Sequence, residues 1–264
     1  MRLPLFWADA FADRQFSGNP AAVCVVEDWP ADTVMQAIAA QNNLSETAFI
    51  KPRADGWAIR WFTPAAEVDL CGHATLASAA VIRRYFDPDA QEIGFLSPGG
   101  PLRADFEDDL IVLDFPARPP RPADTGGALA RALGVQPASE WLADYYLAEL
   151  SSEAEVRAVR PDMDKVAALG HTGVIVTAPG TDADFVSRFF APAVGVPEDP
   201  ATGSSHCTLV PFWSERLGNR DLTARQLSPR GGELVCRERG ERVSIGGRVV
   251  HYLQGTLELQ SVSP

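Results

Sequence analysis

The side chains able to do chemistry in this sequence concentrate in two short segments. Residues 71–75 read Cys-Gly-His-Ala-Thr, and residues 199–206 read Asp-Pro-Ala-Thr-Gly-Ser-Ser-His. Each places glycine and small hydroxyl residues at the head of a run free of formal charge: GHATLASAAVI from Gly72 and GSSHCTLVPFWS from Gly203. A helix that starts there leaves its first N–H groups unpaired, and its macrodipole favours an anion. Gly72, Gly203 and Ser204 are therefore candidates for binding a carboxylate or a phosphate-like group. The competing assignment is structural, because Thr75, Thr202 and Ser204 are residue types that cap helices. Glu46, in NNLSETAFI, is either a carboxyl for acid–base work or part of a capping box in a turn.

Zinc would accept the set Cys71, His73, His206 and Cys207. An adjacent His-Cys pair on a helix, however, points its side chains about 100° apart, and the sequence holds no CxxC or HxxxH spacing. No metal site is expected. Cys71 with His73 is a second kind of reactive pair, since a thiol at a helix N-terminus has a lowered pKa and serves as nucleophile or acid/base. Cys24 and Cys236 read as small core residues, and His171 and His251 as structural. There is no GxxxxGK[ST] loop and no GxGxxG after a strand, so neither a nucleotide nor NAD is indicated.

The two chemical segments sit at matching places in a chain that is written twice. RWFTPA at residues 60–65 returns as RFFAPA at 188–193, Gly72 as Gly203, and SPGG at Ser97 as SPRGG at Ser228. The offset moves from 128 to 131, which predicts a three-residue insertion between Pro192 and Gly203, inside GVPEDPAT. Each half has β-rich runs bounded by Gly, Pro, Asp and Asn: AAVCVVE, WAIRWF and LIVLDF in one, GVIVTA and RVSIGGRVVHYL in the other. Each also has one helix that is apolar nearly all round and must be buried on every side, as a sheet curled around it would allow. The stretches TVMQAIAAQNN, TGGALARALG and MDKVAALG read as outer helices, and Pro211 should kink the second central one. ARPPRPADTGG (Ala117 to Gly127) reads as an interdomain linker. This places one domain at 1–117 and a second at 118–264, whose last strand is free to pack with the first domain.

Bulk properties exclude several classes. The 264 residues are 46% apolar and 22% charged, ordinary for a soluble globular chain. No apolar run approaches the roughly 18 residues of a membrane span. A net charge of −12 argues against nucleic acid and gives no attraction to anionic membranes. No signal peptide is read at the N-terminus, and the four cysteines, sparse for a disulfide scaffold, are expected as reduced thiols in a cytoplasmic protein.

The segments DAFADRQFSGNPAAV (9–23), NLSETAFI (43–50), FTPAAEVDLCGHATLASA (62–79), VPEDPATGSSHCTL (196–209) and SPRGGELVC (228–236) resemble the phenazine-biosynthesis isomerase-like (PhzF-like) family, part of the diaminopimelate-epimerase fold group. The resemblance covers nearly the whole chain. It implies an α/β (α+β) fold of two similar domains, each a mixed barrel-like sheet around a central buried helix. The domains would be related by a pseudo-twofold axis, with the active site in the cleft between them. It further implies a cofactor-free, metal-free isomerase that is a homodimer. Carried over residue by residue, Glu46 matches the general acid/base and His73 and Asp199 match polar catalytic residues. Gly72, Gly203 and Ser204 match the helix starts that bind the substrate carboxylate, and Asn19 matches the SGNP asparagine beside the cleft. The chain departs from the two-cysteine epimerases of the fold group: Cys71 sits where the first cysteine would be, but the second start reads Glu-Asp-Pro-Ala-Thr.

On this reading the chain moves a proton between carbons of a small carboxylate metabolite. One buried carboxyl, with its pKa raised toward neutrality, removes the proton and returns it. Helix N–H groups, Ser204 and a protonated His73 would stabilise the developing negative charge, while Asp199 would orient or charge His73 or relay the proton. Two alternatives stand beside it. One is an amino- or hydroxy-acid epimerase or racemase using Cys71 with Asp199. The other is a non-catalytic protein that binds a small anion.

Overall fold

The two runs without a polar face form the central helices of the molecule. In the computed structural model, which describes residues 1–260, α2 (Gly72–Tyr85) buries every residue from His73 to Ile82, and α6 (Gly203–Leu217) buries Ser205 to Val210 and Phe212 to Ser214. Two hydroxyls on α2 are satisfied by the helix itself: Thr75 donates to the Cys71 carbonyl at 2.6 Å and Ser78 to the Ala74 carbonyl at 2.7 Å. Pro211 leaves the Cys207 carbonyl without its helical donor. The backbone N–H of Arg118 takes that carbonyl at 2.8 Å, and the helix continues through the proline.

The chain divides into two units. Unit 1 holds Met1–Asp114 and the segment from Gly247 onward, and unit 2 holds Phe115–Gly246. Unit 1 contains β1 (Arg2–Ala10), β2 (Asn19–Val25), α1 (Asp32–Asn42), β3 (Glu46–Arg53), β4 (Gly56–Phe62), β5 (Glu67–Val68), α2, β6 (Glu92–Ser97), β7 (Gly100–Glu107) and β8 (Leu110–Pro116). Unit 2 contains β9 (Arg121–Pro122), α3 (Ala128–Leu133), β10 (Ser139–Leu142), β11 (Tyr146–Glu149), α4 (Glu153–Ala158) and α5 (Met163–Ala167). It continues with β12 (Val174–Pro179), β13 (Phe185–Ala191), β14 (Val196–Asp199), α6, β15 (Asp221–Gln226), β16 (Gly232–Arg239) and β17 (Arg242–Gly247). The last strand, β18 (Val249–Glu258), pairs along β1 in unit 1.

The duplication is present strand by strand. In unit 1, β2 pairs parallel with β3, β3 antiparallel with β4, β4 antiparallel with β5 and parallel with β6, and β6–β7–β8 run as a meander. Unit 2 repeats each pairing with β11, β12, β13, β14, β15, β16 and β17. The first strand of each set, β1 or β10, has one further antiparallel neighbour, β18 or β9. Each unit is thus a mixed sheet serving one buried helix. α2 packs on β1, β2, β3, β7 and β18, and α6 on β15 and β16.

Two expectations change. The Pro-rich segment 117–127 is built into unit 2: its β9 pairs with β10, and the Ala123 N–H donates to the Glu140 carbonyl at 2.9 Å. A two-residue strand of Arg and Pro has no alternation to read, so it passes for a linker. RVSIGGRVVHYL is two strands, split at Arg248, with β17 beginning in unit 2 and β18 in unit 1. The three-residue insertion expected between Pro192 and Gly203 falls after Ala193, the counterpart of Ala65, where the chain leaves the 3-10 turn Pro192–Val194. Arg60 pairs with Glu67 and its counterpart Arg188 with Glu198, so the offset has already reached 131 by Glu198. Among the described residues no helix is long and apolar enough to cross a membrane.

Candidate active site

In unit 1, parallel pairing brings residues far apart in sequence to one end of the sheet. Ala21 stands opposite Glu46, so the starts of β2 and β3 lie side by side. The N-terminus of α2 delivers Cys71 and His73 to the same place. His73 Nε2 lies 3.2 Å from Glu46 Oε2, and its Nδ1 lies 3.3 Å from Asn19 Nδ2 and 3.5 Å from Cys71 Sγ. Asn19 is fully buried and Cys71 and His73 are buried, while the Glu46 side chain keeps 18% of its exposure. An amide nitrogen only donates, so His73 Nδ1 is the acceptor and its proton sits on Nε2, the nitrogen nearer the carboxylate. Glu46 opens a strand rather than a helix, which removes the capping-box assignment.

Burial pushes the His73 imidazole down to about 3. The protonated His73 anticipated as a charged donor is therefore replaced by a neutral one, because a cation there would lose its hydration without a full compensating partner. His206 in unit 2 and His251 in unit 1 are likewise held down to about 4 by burial. When the native pKa lies below the ordinary value of 6.5, the unfolded chain binds the extra proton. Stability from these groups is complete above pH 6.5 and declines as the pH falls toward 4 and then 3. We expect His73→Asn to flatten the loss of urea midpoint between about pH 7.5 and pH 5. An unchanged slope would contradict a buried neutral imidazole.

The loop before Asn19 is held in an uncommon conformation. Phe11, Phe16 and Gly18 have φ of 58°, 69° and 66°. Asp9, itself buried, accepts the Phe16 N–H at 3.2 Å. A Cβ on Gly18 would meet the Ala10 carbonyl oxygen at 2.2 Å, a backbone atom that cannot swing away. Gly18→Ala should cost at least about 2 kcal/mol in urea unfolding, the left-handed conformation and the collision acting together. A loss under half of that would show that the loop re-forms without glycine.

In unit 2, the segment from Asp199 to Gly203 is clamped from β15. Gln226, 1% exposed, donates to the Asp199 carbonyl at 2.7 Å and accepts the Thr202 N–H at 2.9 Å. The Thr202 hydroxyl donates to the Asp199 carboxylate, and Ser228 donates to the Pro200 carbonyl at 2.7 Å. Ser204 Oγ lies 3.1 Å from the hydroxyl of Tyr145, whose ring packs edge-on against Phe189 at 4.9 Å. Burial pushes the Tyr145 hydroxyl up, so it stays protonated. Neither α2 nor α6 carries a side-chain cap, and Thr75, Thr202 and Ser204 all bond elsewhere. The capping assignment therefore does not hold. Both starts offer backbone N–H groups to an anion. His206 and Cys207 lie one turn inside α6, with His206 Nδ1 2.8 Å from the Thr202 carbonyl.

The motifs named Glu46, His73, Cys71 and Asn19 as candidates without showing that they touch; the structure brings the other three around the His73 ring. Sequence reading missed Gln226, Tyr145 and Asp9. The repeated SPGG/SPRGG turn was the one signal pointing toward Gln226, two residues before Ser228.

Comparison with known proteins follows the same outline. A family model described as phenazine biosynthesis-like protein (PhzC-PhzF) matches residues 8–255. The chain is 51% identical over 260 residues to a Pseudomonas aeruginosa protein named as an uncharacterised isomerase, covering 98% of this chain and 100% of that one. It is 40% identical to a human phenazine biosynthesis-like domain-containing protein, covering 97% and 99%. A crystal structure of a PhzF-family protein from Enterococcus faecalis superposes with a TM-score of 0.96 at 43% identity, over 98% of this chain and 100% of that one. A hydroxyproline epimerase from Agrobacterium vitis shares the fold at 11% identity and a TM-score of 0.63, over 97% and 92% of the two chains.

Proposed function

Since the chain belongs to the phenazine biosynthesis-like family, we propose that it is an isomerase of a small carboxylate metabolite, with Glu46 as the acid/base that moves a proton between carbons. The observation that carries this reading is the pairing of Glu46 with a buried, neutral His73 at 3.2 Å. A carboxyl beside a neutral N–H donor can hold and release a proton without a competing base. Carbanion or enolate charge developing on the substrate would be met by donors already in place, the N–H groups at a helix start. Within unit 2, Ser204 with Tyr145 supplies hydroxyl donors at the start of α6, suited to a carboxylate. Asp199, its carboxylate fixed by Thr202, is the second group we assign to proton handling, on the strength of the family resemblance. The reaction on this reading needs no cofactor.

Cys71 gives the second reading, because its sulfur also touches His73, at 3.5 Å. In that case the thiol exchanges the proton and the product is an epimer.

The test is incubation of a small-metabolite extract in D2O with wild type and with Glu46→Gln, followed by mass spectrometry and chromatography. A species that gains deuterium or changes retention only with wild type supports the Glu46 reading. Persistence of the change in Glu46→Gln together with its loss in Cys71→Ser would transfer the role to the thiol.

A further inference from the structure

One ligand atom each from Glu46, Cys71 and His73 lie within 4.8 Å of one another. Carboxylate, thiol and imidazole together are a donor set for a soft divalent ion, and three protein ligands leave a fourth position open. Sequence spacing pointed away from metal because it tested Cys71 and His73 with His206 and Cys207. The third donor is Glu46, 25 positions before Cys71 and brought in by sheet pairing.

We propose that the Glu46–Cys71–His73 cluster binds one divalent cation of the zinc or cadmium type, and that the bound ion silences Glu46. The second clause rests on the acid/base reading above, and the first does not. The Sγ···Nδ1 separation of 3.5 Å is closed by Zn–S and Zn–N bonds of about 2.3 and 2.0 Å at about 109°, the tetrahedral angle. Glu46 completes the set by rotating from the Nε2 side of the ring, which its partial exposure permits. The Asn19 amide, 3.3 Å from Nδ1, must turn aside.

Cadmium titration of the chelator-treated full chain tests the proposal through the thiolate-to-metal charge-transfer band. Wild type should show one cadmium per chain, and Cys71→Ser should lose the band. Glu46→Gln and His73→Asn should weaken binding about 10-fold or more. The 113Cd resonance of the wild-type complex needs no variant to fold and should report a single sulfur ligand. An oxygen-only resonance, absence of the band in wild type, or a full band in Cys71→Ser overturns the site. If the band depends on Cys71 but Glu46→Gln retains turnover, the metal site stands and the acid/base assignment falls.

Discussion

Glu46→Gln is expected to lower turnover by about 10²- to 10⁴-fold while the fold is retained. Glutamine keeps the shape and the hydrogen-bonding capacity of the side chain at the start of β3, but it cannot take up and return a proton. His73 cannot substitute for it. Its imidazole, held down to about 3, is a weak base at neutral pH, and its one lone-pair nitrogen already faces Asn19 and Cys71. Glu46→Asp should fall between the two, since withdrawing the carboxyl by one methylene shifts it by about 1 Å, a displacement worth roughly 10²-fold. The check is solvent-deuterium incorporation with any substrate identified from the extract, read beside the near-UV circular dichroism of each variant. Full exchange in a natively folded Glu46→Gln would place the base elsewhere.

Arg188→Ala is expected to destabilise unit 2 strongly, by about 3–5 kcal/mol. The Arg188 side chain is 10% exposed and makes a two-pronged pair with Glu198 at 2.7 and 3.0 Å. It also donates to the Val156 and Val159 carbonyls at 3.2 and 2.8 Å and lies over the Phe190 ring at 4.8 Å. Removing it leaves a half-buried carboxylate without its partner and two carbonyls near the end of α4 without a donor. It also frees β14, the strand that ends in Asp199.

The duplication supplies an internal control. Arg60, the counterpart in unit 1, is 18% exposed and pairs with Glu67 and Asp32, whose side chains are 32% and 74% exposed. Arg60→Ala should cost only about 1 kcal/mol, because solvent screens both the pair and its loss. Thermal unfolding should separate the variants, with a fall in Tm of about 10 °C for Arg188→Ala and a few degrees for Arg60→Ala. Equal losses would show that burial does not set the strength of these equivalent pairs.

Local pattern alone was enough for the two central helices and the repeat. An apolar run with no polar face admits only burial, and matched runs at a near-constant offset admit only two copies of one unit. The motifs also named the carboxyl, the imidazole and the thiol. What local pattern could not express was adjacency. Glu46 meets His73 because β2 and β3 pair in parallel with Ala21 opposite Glu46, a register set by long-range packing rather than by neighbours in sequence. The charge state of His73 is likewise a property of its surroundings: the same imidazole on the surface would titrate near 6.5, and burial alone takes it to about 3. The Pro-rich segment read as a linker for the same reason. Its place was decided by an unfilled carbonyl on α6, left by Pro211 and taken by Arg118, and by a two-residue pairing with β10. A proline can be read in the sequence, but the partner that repairs its missing hydrogen bond is chosen by the fold.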